Sequence, residues 1–369
     1  MKIVIGTVEV ANIIYTISSE LKRQGHEVIS ICENEHVFYE NKYTFSSYDL
    51  IFDYYFPKYK SSNSRTILII KKGVRIIDRV LFRFLRRQTV KKIIKSNDLY
   101  IFVWRGLLSN DADLKIWKRY NKKIVTLFMG SEIRDYNTFI NDYNINHWKF
   151  PNQFLLTQKK TLKEKIKKIR LHEKYSDAIF SVPDQSGLLT KSYYHLQIPV
   201  DISKFEFCVS KNEIPLIIHA PSNPLLKGTD IIEKTIKQLQ KDGVKFIYKR
   251  FSGISHNKIV EFLSKADILI DQILLHGPGV IGFEAMASGC VVATKFIENS
   301  PTCFQPPVYK IDADNIYIKL KELIENKELR IKLAKEGRKY VLKNNYTEKV
   351  VLDILERVNL KKEFDYIIQ

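Results

Sequence analysis

The sequence predicts an α/β protein made of two successive Rossmann-like β/α/β domains facing a central cleft. Three observations carry that expectation. The chain has 369 residues, enough for two domains of ordinary size, each with its own core. Short apolar runs alternate with helical stretches along most of its length, the pattern of parallel sheets with crossover helices. The alternation breaks once, in VDISKFEFCVSKNEI around 200–214, and then starts afresh. The expected division is a first domain over 1–205, a second over 206–345, and a C-terminal helix within 346–369 that packs back towards the first. A ligand would sit in the cleft, outside the carboxyl ends of the strands.

The elements follow in order. Lys2-Ile3-Val4-Ile5 is a short apolar β run ending at a Gly6 turn. Val10, Ile13, Ile14, Ile17 and Leu21 recur close to helical spacing, so a helix is expected from Glu9 to Arg23, stopped by Gly25. Glu27–Ile31 is the next strand, and strand-like runs follow at 49–55, 98–103, 122–129 and 178–182, with helices between. The second half gives strand 215–220, loop 221–228, helix 229–242, strand 244–249, helix 256–265, strand 267–271, helix 279–288 and strand 290–294. Charged helices over 312–344 and a last helix over 346–360 complete it.

Composition excludes several classes. A hydrophobic fraction of 45% is too high for a disordered chain. Cys32, Cys208, Cys290 and Cys303 form no C-x-x-C pair and have no metal-ligand spacing, which argues against a disulfide scaffold or zinc module. No apolar run approaches the ~18 residues of a spanning helix. The first residues lack the apolar core and cleavage site of a signal peptide. The cytoplasm is the expected compartment.

Two segments of the second half suggest chemistry. Residues 276–289, HGPGVIGFEAMASG, follow the strand DILID. Gly277 and Gly279 flank Pro278 ahead of a helix, so backbone N–H groups around Gly279 and Val280 can face an anion without side chains in the way. Glu284 lies one to two turns in, where a carboxylate can accept hydrogen bonds from the vicinal hydroxyls of a ribose. A glycine turn with a solvent-facing Glu fits the same residues. In LIIHAPSNPLLKGTD, over 216–230, a strand ends at His219, a polar loop holds Ser222 and Asn223, and Lys227-Gly228 opens a helix. An ammonium beside a helix N-terminus is unfavourable unless an anion lies between them, so Lys227 is a candidate diphosphate ligand, with an ordinary surface lysine as the alternative. His219 reads as a buried, satisfied histidine.

Together, and about fifty residues apart, these segments resemble the donor-binding half of the family 4 retaining glycosyltransferases with the GT-B fold. The resemblance rests on Pro221-Ser222-x4-Lys227-Gly228, on His276-Gly277-Pro278-Gly279-x4-Glu284-Ala285-x-Ala287-x-Gly289, and on the strand Ala266–Asp271. In the first half, Gly25-His26-Glu27-Val28 and Phe128-Met129-Gly130-Ser131-Glu132-Ile133-Arg134 are similar to further family motifs. Three positions depart from the pattern. Ser222 stands where an Arg is usual, His276 where a Glu is usual, and Met129 where a His is common. Arg250, or Lys249 beside it, is the candidate replacement for the absent Arg, and His276 is a candidate sugar or phosphate ligand.

The resemblance implies transfer of a hexosyl or N-acetylhexosaminyl group from a UDP- or GDP-linked donor to an acceptor hydroxyl, with retention. Lys227, the helix start at Gly279–Ile281 and the Gly6 turn would hold the leaving diphosphate. For Gly6, a plain strand-to-helix turn fits equally well. In that family the leaving phosphate is thought to take the acceptor's proton, so no catalytic side chain is assigned. No cofactor and no metal are expected. Asp111-Ala112-Asp113 matches D-x-D but reads as a helix start. Acceptor contacts are expected from Gly130, Ser131, Glu132 and Arg134, and from Trp104-Arg105-Gly106, with helix capping and packing as the alternative.

The net charge of +19 is concentrated. Residues 58–95 hold thirteen Lys/Arg and one acid, and 158–174 hold eight and two. Within VRIIDRVLFRFLRRQTVKKIIK, over 74–95, Arg75, Arg79, Arg83, Arg87 and Lys91 recur every four residues opposite Ile77, Leu81, Phe84 and Leu85. That is a basic amphipathic helix suited to an anionic membrane surface. The expected partners are therefore a nucleotide-sugar donor, a glycan or lipid-linked acceptor, and the inner face of the plasma membrane, with a role in bacterial surface polysaccharide or glycolipid assembly. Two rival classes are a GT-B-shaped protein that binds nucleotide or glycan without transfer, and a basic nucleic-acid-binding protein. The second has no recognition-helix, RNP or zinc-finger motif behind it.

Overall fold

The structure, a computed structural model, describes residues 1–33, 41–81, 83–135, 152–182, 187–209, 212–297 and 305–359, with Cys303 outside them. Two sheets form, and every strand pair is parallel. The first contains β1 (Lys2–Thr7), β2 (Glu27–Cys32), β3 (Phe45–Ser46), β4 (Leu99–Val103), β5 (Lys123–Phe128), β6 (Ala178–Ser181) and β7 (Tyr194–His195), in the order β3-β2-β1-β4-β5-β6-β7. The second contains β8 (Leu216–His219), β9 (Ile247–Arg250), β10 (Ile268–Ile270), β11 (Val291–Thr294) and β12 (Tyr309–Lys310), in the order β12-β11-β10-β8-β9. This is the two-domain GT-B arrangement. The chain direction across each sheet reverses once, between β1 and β4 and between β8 and β10. Crevices at such switch points, outside the strands' carboxyl ends, are where ligands bind in this architecture.

The central strands of each sheet are apolar because helices cover both faces there, whereas the edge strand β9 is largely exposed. Ile3, Val4 and Ile5 of β1 and all of β4 are buried. The last helix, Thr347–Asn359, returns to the first domain, where Val350, Val351 and Ile354 join a core with Ile3, Ile5 and Ile17. Met286, on the Val280–Ser288 helix, packs against Gly337 of the Lys327–Asn344 helix, leaving no space for a Cβ at Gly337 without movement of Met286.

Three local expectations are corrected. Gly6 is not a turn: β1 runs on to Thr7, and a Cβ at Gly6 would lie 2.5 Å from the Ile31 carbonyl oxygen of β2. The glycine serves strand pairing. Residues 49–55 are not a strand but the helix Leu50–Tyr55. The place beside β2 belongs to Phe45–Ser46, and the buried Asp53 carboxylate ties the helix to it by accepting the Ser46 N–H at 2.8 Å. A short apolar run with no flanking signal fits either element. The basic segment 74–95 is not one helix but parts of two, Arg65–Val80 and Phe84–Ser96, with Arg83 at φ 60° between them.

Candidate functional site

A cavity of about 540 Å3 lies at the carboxyl ends of the strands flanking both switch points. From the first domain come Val8, Glu9, Val10 and Ala11 after β1, and Trp104 after β4. From the second come Ala220, Pro221 and Ser222 after β8, the Phe251–Ile254 loop after β9, and the start of the Val280–Ser288 helix. Lys227, His256 and Glu284 also reach its wall.

Lys227 ends the short helix Pro224–Lys227, which Asn223 caps by accepting the Leu226 N–H at 3.2 Å. Gly228 follows at φ 77°, and a Cβ there would lie 2.5 Å from Ile273, so only glycine turns the chain here and holds Lys227 in place. The Lys227 ammonium donates to Asp271, just beyond β10, and the same carboxylate accepts the Gly279 N–H at 2.5 Å. Asp271 thus stands behind the start of the 280–288 helix and aims the lysine across it. The first-turn N–H groups of Val280 and Ile281 are of the kind a helix leaves without intrahelical partners. Glu284 is one turn further on, its Oε1 2.8 Å from His256 Nε2.

The loop ahead of this helix is stapled from inside. Gln272 Nε2 donates to the Gly277 carbonyl at 2.6 Å, Thr294 Oγ1 donates to the Gln272 carbonyl at 2.8 Å, and the Gly277 N–H reaches the Lys295 carbonyl at 2.9 Å. His276 belongs to this staple and does not line the cavity. Its Nδ1 accepts the Ile297 N–H at 3.0 Å, its ring lies against Phe296, and burial, helped by the Lys295 charge, pushes its pKa down to about 4. A neutral, buried ring with Nδ1 as acceptor braces the loop, which corrects the expectation of a sugar or phosphate ligand.

Other expected residues are placed as follows. Ser222 and Gly279 are on the wall, whereas Asn223 is a helix cap and Gly277 and Pro278 shape the loop. Arg250 leaves the cavity and approaches Glu233 at 3.9 Å, and Lys249 lies over the Phe262 ring, so neither stands in for the absent Arg. His219 is a core histidine: Nδ1 donates to the Ile270 carbonyl at 2.7 Å, Nε2 faces Thr229 Oγ1 at 3.0 Å, and burial lowers its pKa.

In the first domain Trp104 is on the wall at φ 70°. Asp111 and Asp113 hold its loop, the former accepting the Gly106 N–H at 2.7 Å and the latter the Leu107 N–H at 2.9 Å. Burial raises the Asp113 pKa to about 7. The D-x-D pattern is therefore a loop anchor, and among the described residues no group of three His, Cys, Asp or Glu side chains is placed to hold a metal. Arg105 turns away from the cavity to pair with Glu33. Gly130, Ser131, Glu132 and Arg134 lie outside the cavity wall, with Glu132 folded back on the Met129 N–H and its pKa raised by burial.

Glu9, Asp271, His256 and the Phe251–Ile254 loop were not singled out in the sequence. Each carries a weak local signal at most. Asp271 ends a strand like many aspartates, and His256 follows Ser255 at an ordinary helix start.

Comparison with protein-family models gives no match, and neither does comparison with curated proteins. Solved structures do match over nearly the whole chain. Sucrose-phosphate synthase from Thermosynechococcus elongatus superposes with a TM-score of 0.60 at 11% identity, covering 96% of this chain and 98% of that one. HepE from Anabaena in complex with UDP gives 0.56 at 10%, covering 96% and 99%. UDP-GlcNAc 2-epimerase from Neisseria meningitidis bound to UDP-GlcNAc gives 0.55 at 14%, covering 97% and 100%. These likenesses establish the GT-B fold. Proteins of more than one activity share it, so function has to be argued from the site.

Proposed function

We propose that the protein is a glycosyltransferase that moves a hexosyl or N-acetylhexosaminyl group from a UDP- or GDP-linked donor to a hydroxyl of a glycan or lipid-linked acceptor, with retention. The supporting observation is the gathering of an ammonium, a helix start and a carboxylate on one cavity wall, at Lys227, Val280–Ile281 and Glu284. The ammonium has three hydrogens and Asp271 takes one, so a diphosphate can take the others together with the first-turn N–H groups. Glu284, steadied by His256, accepts from the ribose hydroxyls. No cofactor or metal enters this scheme.

In the reaction the bond from the sugar's anomeric carbon to the diphosphate oxygen breaks, and the acceptor oxygen bonds to that carbon on the same face. The acceptor's proton passes to the departing phosphate. Glu9 is the first-domain carboxylate on the wall, and both its oxygens are engaged by the Ile14 and Tyr15 N–H groups at 3.1 Å and by Tyr43 at 2.7 Å. That engagement supports a route without a side-chain base. Charge on the leaving group is met by Lys227 and the helix start, where preorganised donors act most strongly.

The same reading puts the protein on the inner face of the plasma membrane, in surface polysaccharide or glycolipid assembly. No helix among the described residues is long and apolar enough to cross a membrane. The Arg65–Val80 helix instead exposes Ile76, Ile77 and Val80, continued by Leu81 and Phe84, beside Arg79, Arg83 and Arg87. Of the other residues expected there, Arg75 is held by Asp49 at 2.6 Å and Lys91 is half-buried. In the lysine-rich segment 158–174, Lys165 turns inward to the Arg134 carbonyl at 3.0 Å and Lys168 to the Trp104 carbonyl, while Lys163, Lys167 and Lys174 are exposed.

A second reading, nucleotide-sugar binding without transfer, is motivated by the Lys227–Asp271 pair, which occupies part of the lysine's charge. A thermal-shift screen of nucleotide sugars with analysis of released nucleoside diphosphate separates the readings. Transfer requires donor-dependent stabilisation and product release, both lost in Lys227→Ala and Glu284→Ala. Stabilisation without turnover on any acceptor supports the second reading, and indifference to all donors sinks both.

A further inference from the structure

Trp104 and Arg105 are neighbours in sequence but face different spaces. Trp104 lines the large cavity, and Arg105 lines a second one of about 310 Å3 inside the first domain. Five arginines surround that second cavity, Arg75, Arg79, Arg83, Arg86 and Arg105, against three carboxylates. The carboxylates are already committed. Asp49 binds Arg75 through both oxygens at 2.6 and 2.8 Å, Glu33 pairs with Arg105, and the buried Asp78 accepts the Arg86 backbone N–H at 2.9 Å.

The remaining arginines meet no carboxylate directly. Arg86 is half-buried and spends its guanidinium on neutral acceptors, the Leu107 carbonyl at 2.8 Å, the Ser47 carbonyl at 2.7 Å and Ser47 Oγ at 3.1 Å. Burial and then the neighbouring Arg83 charge lower its pKa. Arg79 and Arg83 form no ion pair among the described residues. Arg83 also adopts φ 60°, a conformation that disfavours a non-glycine side chain and that the fold maintains here. Like charges gathered in a concave space repel one another, and an anion bound among them would offset that repulsion. Outside the cavity, the Arg65–Val80 helix carries an exposed apolar face, Ile76, Ile77 and Val80, with Phe84 exposed just after Arg83.

We propose that this cavity binds the phosphate or diphosphate of an amphiphilic acceptor, with Arg79 and Arg83 as its ligands, Arg86 as the half-buried charge behind them, and the hydrocarbon chain passing round to the exposed apolar face of the Arg65–Val80 helix. Binding of the phosphate stands independently of catalysis; its assignment to the acceptor rests on the transferase reading. Through the Trp104–Arg105 loop, a head group held here would place the sugar or hydroxyl beyond it towards the large cavity.

The test is pyrophosphate binding by calorimetry, with and without saturating UDP, in the wild-type chain and in Arg79→Ser/Arg83→Gly. Both side chains are exposed, and glycine suits the φ at 83, so the variant keeps its fold. The variant should lose about tenfold or more in pyrophosphate affinity, the loss of one or two charge-assisted contacts, while UDP binding is unchanged. Equal pyrophosphate affinity in the two proteins overturns the site. Failure of UDP and of GDP, titrated in the same way, to bind while the arginine-dependent pyrophosphate site persists overturns the transferase reading and leaves the cavity assigned. Phosphatidylcholine vesicles carrying a long-chain prenyl diphosphate, against vesicles matched in charge with phosphatidylglycerol, test the carrier. Preferential capture that the variant abolishes supports an amphiphile, and equal capture overturns it in favour of a soluble phosphate ester.

Discussion

The two domains present the same device to the cleft, a strand, a loop and a helix start, and finish it in opposite ways. In the first domain Glu9 closes the Ile13–Arg23 helix, accepting two backbone N–H groups at 3.1 Å with Tyr43 at 2.7 Å and no ion pair among the described residues. In the second, Asp271 accepts one N–H at the start of the 280–288 helix and shares itself with Lys227, whose ammonium stays on the cavity wall. A helix start already closed by its own carboxylate does not attract an anion. One whose carboxylate is neutralised by a lysine offers the lysine's remaining hydrogens and the rest of the first turn. Under the proposed function this difference favours the second domain as the donor side, the half that carries the two motifs.

The largest effect should come from breaking that neutralisation. Lys227→Met leaves Asp271 buried without a cation, and removing one partner of a buried pair costs about 3–5 kcal/mol. Both thermal stability and donor binding should fall. Adding Asp271→Asn should restore much of the stability but not the binding, a split that thermal melts and nucleotide titration read separately. Full recovery of donor affinity in the double variant would remove Lys227 from the site.

Acid should act on the two ends with opposite sign. His276, which braces the second-domain loop, has its folded pKa depressed from 6.5 to about 4. Between those values the unfolded chain binds more protons, so stability falls as pH drops through that window, by at most ~3 kcal/mol. His172 and His219, also depressed by burial, add in the same direction. Glu9 has its pKa raised by burial, so the folded state holds that proton more tightly, and its contribution rises as pH drops through its folded value towards 4.5. His276→Asn keeps an acceptor for the Ile297 N–H and should flatten the melting temperature between pH 6.5 and 4. An unchanged slope would mean that His276 is not the acid-sensitive brace.

Glycines sharpen the comparison next. Gly6→Ala drives a Cβ against the backbone of β2, where nothing flexible can yield, and should cost about 1–3 kcal/mol as an overpacked site. Gly279→Ala meets the Lys227 Nζ at 3.1 Å, the mobile end of a side chain, at φ −74°. It should leave the melting temperature nearly unchanged and weaken donor binding by displacing the ammonium. Equal destabilisation by the two substitutions would contradict the distinction between a structural glycine and a site glycine.

The same contrast explains how much was legible in the sequence. The alternation of strands and helices reflects burial on both sheet faces, a local property, and it gave the two-sheet architecture and most element positions. That Lys227, Gly279 and Glu284 come together was legible from the spacing of two motifs, and the three share one cavity wall. His276 was misread because its partner, Ile297, lies twenty-one residues away across a staple that no motif encodes. The basic stretches 58–95 and 158–174 look alike as strings, yet Lys165 and Lys168 reach carbonyls of the first domain while Arg79 and Arg83 remain exposed. Which way a charged side chain faces is decided by tertiary partners, and those are invisible in composition.

The smallest effect isolates the first-domain cap. Glu9→Ala removes a carboxylate that serves the Ile14 and Tyr15 N–H groups, a capping loss of about 1 kcal/mol. Burial raises the Glu9 pKa, so its contribution to stability, and with it the loss in Glu9→Ala, should grow as pH drops through the folded value. Amide hydrogen exchange is the fitting measurement, since it reads the Ile14 and Tyr15 N–H groups directly and leaves the second domain as an internal reference. Faster exchange confined to the first turn of the 13–23 helix is the expected result. Faster exchange that spreads to the 280–288 helix would show that the two helix starts are coupled through the cleft, and the contrast between a closed end and an open one would then belong to a single cooperative unit.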